Sequence, residues 1–134
     1  MNRIGFTGTQ RGMTDKQKVA VGEILSAFRG AELHHGDCVG ADAEAHGIAE
    51  TIPMRIVIHP PENESKRAFK RADYYEPRAP YLTRNQAIVY GTDFLIATPG
   101  EPTEQLRSGT WSTVRTARRY HKKVFLVLPD GRVV

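Results

Sequence analysis

Short apolar runs of β-forming residues alternate with helical patterns along the whole chain, and this alternation constrains the fold more than any other feature. The last two runs, residues 94–97 and 124–128, are almost uninterruptedly apolar, whereas a strand with one face in water alternates between apolar and polar residues. Uninterrupted apolar strands are typical of parallel sheets that are buried on both faces. The pattern therefore predicts an α/β fold in which helices cover both faces of a mainly parallel sheet of about five strands.

The periodicity and the residues that begin and end each element predict five strands and four helices. Thr14 and Gln17 have the spacing of a capping box that opens the first helix. Residues 62–80 show little periodicity and are predicted to form a surface loop with room for one short helix. The strands are predicted at residues 4–8, 33–36, 54–59, 94–97 and 124–128, and the helices at 14–28, 37–49, 82–90 and 109–120.

Length and composition are those of a globular protein. The 134 residues, expected to form one domain over residues 1–134, are 40% hydrophobic and 25% charged, which is ordinary for a chain with a buried core. One cysteine, Cys38, excludes a disulfide scaffold, and no apolar run approaches the ~20 residues of a membrane span. Because a strand pattern follows Met1-Asn2-Arg3 at once, we expect no signal peptide and a cytoplasmic location without membrane association. The net charge of +4 favours an anionic partner.

Glycines and hydroxyl residues follow the predicted strands, where ligands of open α/β sheets bind. Gly8 and Thr9 follow the first strand, and Ser108-Gly109-Thr110 opens the helix after the fourth. Free amides at a helix N-terminus favour phosphate, so this tripeptide is either a phosphate cradle or an ordinary turn capped by Ser108. The sequence contains no Gly-x-Gly-x-x-Gly and no Walker-type lysine loop. It therefore predicts neither an ordinary dinucleotide or nucleoside-triphosphate site nor a cofactor.

Two further polar pairs could face a ligand at the same edge. Asp42 and His46 are four residues apart and share a helix face. They could orient a ribose hydroxyl or transfer a proton, or they could form a structural hydrogen bond. Arg84 and Asn85 lie near the start of a helix, where the arginine could clamp a phosphate or remain on the solvated surface.

His34, His35, Asp37 and Cys38 are close in sequence, which raises the question of a metal site. Neighbouring residues of a strand point to opposite faces, so the two histidines cannot easily share one ion. No recognised spacing of metal ligands follows them. We therefore predict no metal site, and Cys38 without an evident base is a weak candidate for a nucleophile.

Five cations lie close together near the C-terminus. Their positions suit the C-terminus of a helix, where positive charge interacts favourably with the helix dipole. They could equally form a patch for a phosphate or for nucleic acid, including single-stranded DNA. The five are Arg115, Arg118, Arg119, Lys122 and Lys123.

Four segments of the chain, in this order, resemble the SLOG superfamily, which unites the Rossmann domain of DNA-processing protein A with the Lonely Guy phosphoribohydrolases and their stand-alone relatives. The segments are residues 5–9, residues 36–46, residues 81–85 and residues 108–114. The resemblance implies a Rossmann-like three-layer sandwich that binds a nucleotide or a nucleotide derivative. It also implies that Ser108-Gly109-Thr110 is a phosphate cradle and that the chain forms a homo-oligomer. The residues implied to line the pocket are Gly8, Thr9, Gly36, Asp37, Arg84, Asn85, Ser108, Gly109 and Thr110.

The resemblance to Lonely Guy enzymes does not extend to their catalytic glutamate. The corresponding position is Thr113, and the acidic partner of the family arginine, matched here by Arg84, is missing. Cleavage of an N-glycosidic bond would therefore depend on Asp42 or Glu44 as the acidic group. A nucleotide sensor without catalysis and a single-stranded DNA-binding module, as the likeness to DNA-processing protein A implies, are the alternatives.

Overall fold

One parallel sheet organises the structure, a computed structural model that describes residues 2–134. All neighbouring strands are parallel, in the order β4-β3-β2-β1-β5-β6. The predicted α/β class is confirmed. The strands are β1 (Arg3–Gly8), β2 (Glu32–His35), β3 (Arg55–Ile58), β4 (Tyr74–Tyr75), β5 (Phe94–Thr98) and β6 (Lys123–Leu126).

Four helices cover the two faces of this sheet, α1 and α2 on one face and α3 and α4 on the other. The alternation along β5 shows how one buried strand serves both faces. Phe94 and Ile96 pack in the cluster under α1 and α2, whereas Leu95 and Ala97 pack in the cluster under α3 and α4. The helices are α1 (Asp15–Ala27), α2 (Ala41–Glu50), α3 (Tyr81–Tyr90) and α4 (Gly109–Arg119).

The sheet has six strands, one more than predicted, and the additional strand lies inside the predicted loop of residues 62–80. Tyr74 and Tyr75 pair with Val57 and Ile58 at the edge of the sheet. Both tyrosines are exposed, and a strand of two exposed residues has no periodicity that a sequence pattern could reveal. The same segment contains one 3₁₀ turn, Glu64–Lys66.

The start of α1 is fixed by the predicted capping box. The Thr14 hydroxyl accepts from the Gln17 amide, and the Gln17 side chain accepts from the Thr14 amide. The Gln17 carboxamide also donates to the carbonyls of Pro99 (2.9 Å) and Val127 (3.0 Å). One buried side chain therefore ties the first helix to the segments that follow β5 and β6.

The chain reverses its direction of winding between β1 and β5. From β1 it proceeds to β2 and β3 on one side, and it then crosses back to β5 on the other side. Such a switch point leaves a crevice at the carboxyl ends of the strands. None of the helices among residues 2–134 has the length and apolar character that a bilayer span requires.

Candidate functional site

A cavity of about 420 Å³ lies at the switch point, beyond the carboxyl ends of β1, β2 and β5. Its walls come from loops that are far apart in sequence, because parallel strands all end at the same edge. Asp37 and Glu44 do not line it, although both were candidate site residues. The predicted residues that do line it are Gly8, Thr9, Gly36, Asp42, Arg84, Asn85, Ser108, Gly109 and Thr110.

Gly8 allows β1 to approach the neighbouring elements more closely than any other residue would. A Cβ at this position would overlap the Thr98 hydroxyl oxygen and the Ala41 Cβ. The first loop is then held against α2 and β5, since the Ala41 amide donates to the Thr9 carbonyl (3.0 Å) and the Thr9 amide donates to the Thr98 carbonyl (3.2 Å). This packing sets the floor of the cavity.

The N-terminus of α4 presents unused amides to the cavity. Ser108 caps the helix by accepting from the Trp111 amide at 3.2 Å. The amides of Gly109 and Thr110 have no acceptor within residues 2–134, as expected for the first turn of a helix. A Cβ at Gly109 would meet nothing within 4 Å. No steric contact with the chain itself therefore requires this glycine, and its open side is space that a ligand can use.

Arg84 places a buried positive charge in the same cavity. Its side chain is 6% exposed, and Nη1 donates to the carbonyls of Gly36 (2.6 Å) and His59 (3.2 Å). Gly36 is required here because a Cβ would overlap this Nη1. Nε donates to Asn85 Oδ1 (2.7 Å), Nη2 has no acceptor, and no carboxylate lies at ion-pair distance from the guanidinium in the described part of the chain. A guanidinium removed from water is normally paired with a carboxylate, whereas this one is held by carbonyl and amide oxygens.

Asp42 is a buried carboxylate that lines the cavity. Oδ2 accepts from the amides of Gly36 and Cys38, both at 3.2 Å. Oδ1 has no donor among the residues that the structure describes. Burial raises the pKa of Asp42 to about 6, against the opposing effects of Arg84 and of the two amides. The group can therefore accept or release a proton close to neutral pH.

Asp37 performs a structural task outside the cavity. Its backbone has φ of +58°, and the side chain turns toward the loop that follows the 3₁₀ turn. The carboxylate is fully buried and accepts from Arg67 Nε (2.8 Å) and from the Lys70 amide (2.9 Å). Both oxygens are occupied, so Asp37 holds a loop in place, and no oxygen is left for a ribose hydroxyl.

Glu44 is also engaged elsewhere. Its Oε1 accepts from the Met13 amide at 2.6 Å, and its Oε2 pairs with Lys18 at 3.1 Å. These contacts join α2 to α1 and to the loop before it. Glu44 is therefore not positioned to act in the cavity, and Asp42 is the remaining acidic candidate from the sequence.

The adjacent histidines point to opposite faces of the sheet and contact different partners. His34 Nδ1 lies 2.8 Å from His59 Nε2, whereas His35 Nε2 lies 2.9 Å from His46 Nδ1. His46 thus contacts another histidine, while Asp42 binds backbone amides. Among residues 2–134, no group of three or more potential metal-binding side chains comes together.

Burial governs the titration of this region. It lowers the pKa of His35 well below the usual range, lowers that of His46, and lowers that of His59 to about 3. Burial and the nearby Asp42 raise the pKa of Cys38 to about 11, so this thiol is not activated as a nucleophile.

The residues that line the cavity but were not among the candidate site residues include Tyr81, Arg11 and Glu101. Tyr81 begins α3, and Arg11 and Glu101 form an ion pair with Nη2 3.0 Å from Oε2. Tyr81 lies in the segment that resembles the SLOG pattern, which is a signal that could have identified it. Arg11 and Glu101 lie in irregular loops, where single charged residues usually face solvent.

The basic segment 115–123 is engaged in contacts with the chain itself. Arg115 pairs with Glu104 at 2.8 Å, Lys122 donates to the Thr92 carbonyl at 2.6 Å, and Lys123 lies over the ring of Phe125. These contacts favour the structural interpretation of the cluster for those cations. The last turn of α4 also carries Arg118 and Arg119, whose positive charges interact favourably with the helix dipole.

Comparisons with known proteins agree on the fold. No family model matches the chain, and no curated protein matches it. Among solved structures, a molybdenum cofactor binding protein from the phototrophic bacterium Rippkaea orientalis is similar, with a TM-score of 0.73, 22% identity, and coverage of 95% of this chain and 76% of that one. A structural-genomics target designated TM1055 is similar with a TM-score of 0.70, 14% identity, and coverage of 95% and 74%. At these identities the likeness shows a shared Rossmann-like α/β architecture.

Proposed function

We propose that this protein binds a nucleotide or a nucleotide derivative through its phosphate, in the cavity at the carboxyl ends of the strands. The observation that carries the proposal is Arg84, a buried guanidinium without a carboxylate partner in the described chain. The free amides of Gly109 and Thr110 line the same cavity. A phosphate would supply the negative charge that Arg84 lacks and the acceptors that the amides lack.

Two resemblances support this choice of ligand. The SLOG-like segments of the sequence imply a nucleotide or nucleotide-derived ligand at these loops. A similar solved structure is named as a molybdenum cofactor binding protein, which supports small-molecule binding by this architecture. These two resemblances are independent of the argument from Arg84, which depends only on the geometry of this chain.

Hydrolysis of the N-glycosidic bond of the bound nucleotide is the reaction that the cavity suits best. Asp42 has one free oxygen in the cavity and a pKa of about 6. As a carboxylate it can activate water or stabilise the positive charge that develops at the anomeric carbon. Arg84 would hold the phosphate. If Asp42 only orients a ribose hydroxyl, the protein is a sensor with the same ligand.

The binding proposal is tested by removing a single amide hydrogen. Gly109 is the first residue of α4, and Ser108 before it has φ of −87° and ψ of 128°, a conformation compatible with a following proline. Gly109→Pro removes the free N–H without breaking the helix, whereas Gly109→Ala retains it.

Isothermal titration with nucleoside monophosphates should show about tenfold or more weaker binding for Gly109→Pro, because a hydrogen bond to a charged group contributes about 1.5–3 kcal/mol. Gly109→Ala, which adds a methyl group to the same position but retains the N–H, should bind more tightly than Gly109→Pro. Equal affinity of all three proteins, or no binding by any of them, would contradict the proposal.

Catalysis is tested separately from binding. Incubation with a panel of nucleoside monophosphates should release free nucleobase, and Asp42→Asn should abolish the release while the protein still binds. Binding by the wild type without any release would identify a sensor and exclude the hydrolase.

Single-stranded DNA is the alternative ligand implied by the likeness to DNA-processing protein A. Its affinity would fall steeply with salt, because it neutralises many phosphates and releases many counterions. A mononucleotide in a cavity shows a much shallower dependence. Affinity for an oligonucleotide that falls steeply from 50 to 200 mM salt, without mononucleotide binding, would favour the alternative.

A further inference from the structure

A second cavity, of about 610 Å³, lies on the face of the sheet that carries α3 and α4. On this face the two helices pack against β1, β5 and β6, which leaves most of β2, β3 and β4 without a helix above it. His34 and Val57 of this open floor line the cavity, as do Ala87 and Tyr90 of α3. The cavity is distinct from the one at the switch point, although Arg84 lines both. It therefore offers a small molecule a place that the proposed nucleotide site does not use.

A chain of hydrogen bonds runs along the floor of the second cavity. Glu32 Oε1 lies 3.0 Å from His34 Nε2, and His34 Nδ1 lies 2.8 Å from His59 Nε2. The carboxylate of Glu32 has no hydrogen to donate, so a neutral His34 carries its hydrogen on Nε2 and accepts at Nδ1. His59 must then donate from Nε2. The carboxylate at one end of the chain thereby leaves a lone pair on Nδ1 of His59 at the other end.

Nδ1 of His59 is an acceptor without a donor. His59 is 5% exposed and lines the second cavity but not the first, and its Nδ1 has no partner within residues 2–134. The unpaired buried side-chain atoms that are closed to water are Thr98 Oγ1, Glu101 Oε1 and Trp111 Nε1. Nδ1 of His59 is not among them and can be reached from the cavity. Since a largely buried acceptor without a donor is unfavourable, a ligand that donates would satisfy it.

The surroundings of Nδ1 favour an uncharged donor. Burial, His34 and Arg84 lower the pKa of His59 to about 3, so the imidazole stays neutral and accepts a hydrogen bond at neutral pH. Such a weak base removes protons poorly at neutral pH, which favours binding over catalysis. A cationic donor would be repelled, because the cavity lining carries three arginines against two glutamates.

We propose that the second cavity binds a small uncharged molecule that donates an N–H or O–H to Nδ1 of His59, as azoles, carboxamides and phenols can. Val57 and Ala87 provide apolar contacts for the rest of such a molecule. Glu32 is a positioning residue, because it acts through His34 on the tautomer of His59. The proposal goes beyond the proposed function and does not depend on it, since it assumes no ligand at the switch point.

Pyrazole is a suitable probe, because it is uncharged at neutral pH and carries one N–H, whereas N-methylpyrazole lacks this hydrogen. Each compound is titrated to millimolar concentrations into protein with ¹⁵N-labelled histidine, and the ring nitrogens are followed by NMR. Without a ligand, His59 should carry its hydrogen on Nε2. Pyrazole should shift the Nδ1 resonance of His59 upfield until it saturates. N-methylpyrazole should bind about tenfold more weakly, because it cannot satisfy the acceptor.

Three variants control this experiment. His59→Leu removes the acceptor and should abolish the difference in affinity between the two compounds. Glu32→Gln replaces the carboxylate with an amide that can also donate to His34, so His59 should populate both tautomers and pyrazole should bind more weakly. Glu62→Gln makes the same chemical change at a residue that does not line the second cavity, and it should alter neither property.

The outcomes separate this proposal from nucleotide binding. A wild-type His59 with its hydrogen on Nδ1, an Nδ1 resonance that does not respond to pyrazole, or equal affinity for the two compounds would overturn it. Pyrazole-induced shifts confined to Gly109 and Thr110 would place the probe at the switch point and overturn it too. None of these results bears on whether a nucleotide binds at Arg84.

Discussion

At the residue scale, the site depends on charges and donors that the protein itself leaves without partners. Arg84 is held in a fixed direction by the carbonyls of Gly36 and His59, and in the described part of the chain no carboxylate lies at ion-pair distance from it. Rigid donors of this kind bind an anion with little loss of conformational freedom. The same reasoning applies to the amides of Gly109 and Thr110, which the helix holds in place.

Asp42 is the residue whose charge state should limit stability. Its pKa is raised from 3.8 to about 6, so folding disfavours the ionised form. The stability that depends on the neutral form is complete below the unfolded pKa of 3.8 and is lost as the pH rises through 6. Asp42→Asn stays neutral and retains an oxygen for the two amides that Asp42 binds.

Urea denaturation should therefore show Asp42→Asn to be more stable than the wild type at pH 8, by up to about 3 kcal/mol. At pH 4 the two proteins should differ little. A variant that is less stable than the wild type at pH 8 would mean that the carboxylate is favoured in the fold.

The buried His59 should produce the opposite dependence on pH. Its pKa is lowered to about 3 by burial and by His34 and Arg84. The stability that depends on the neutral imidazole is therefore complete above the unfolded pKa of 6.5 and is lost progressively as the pH falls from 6.5 toward 3. His59→Gln should reduce the loss of stability between pH 8 and pH 5 by about 2 kcal/mol. Thermal or urea unfolding at both pH values measures this, with the exposed His121→Gln as the control. If His59→Gln lost as much stability between pH 8 and pH 5 as the wild type does, His59 would not be the group that titrates.

Nine of the eleven candidate site residues from the sequence line the cavity, but sequence patterns did not give the direction of each side chain. Glycine and hydroxyl residues after strands indicate the correct edge, because every parallel strand ends there. Asp37 lies in the expected loop, but its positive φ turns the carboxylate toward Arg67, and no local pattern shows this rotation. Glu101 was missed because its partner Arg11 is 90 positions away in sequence.

At the element scale, the starts of α1 and α4 were predictable because local side chains cap them. The predicted start of the second helix at Asp37 was wrong, since α2 begins at Ala41 after Gly40 and has no side-chain cap. The capping box at Thr14 and the N-cap at Ser108 are both present, and these depend only on neighbours in sequence. Strand β4 was not predictable, since it is an edge strand formed by pairing with β3. Its existence depends on tertiary contacts, which the tyrosines at 74 and 75 do not encode locally.

The connection of α1 to the end of the sheet should be essential for stability. Gln17 is 1% exposed and its carboxamide satisfies the carbonyls of Pro99 and Val127. Gln17→Leu would leave these buried acceptors unpaired, so we expect a loss of about 2–4 kcal/mol in the free energy of unfolding. Gln105→Leu, at an exposed position in the loop before α4, should change it by less than about 0.5 kcal/mol. Urea denaturation measures both, and equal stability of the two variants would contradict this role.

At the scale of the whole molecule, the parallel topology creates the site. Loops after β1, β2 and β5 meet at the switch point because the chain winds outward in both directions from β1. The apolar runs therefore predict the place of the cavity along with the fold class. The resemblance to the SLOG superfamily also implies a homo-oligomer, which we propose on that ground alone and which light scattering would test.

The most direct test of the account is a titration of the ¹⁵N-labelled protein with a nucleoside monophosphate, followed by NMR. Because amides that donate to a phosphate shift downfield, the resonances of Gly109 and Thr110 should move downfield together and saturate at one ligand per chain. The guanidinium resonance of Arg84 should change with the same dissociation constant. Shifts confined to the basic residues 115–123, or no shifts at all, would contradict the claim that a phosphate-bearing ligand occupies this cavity.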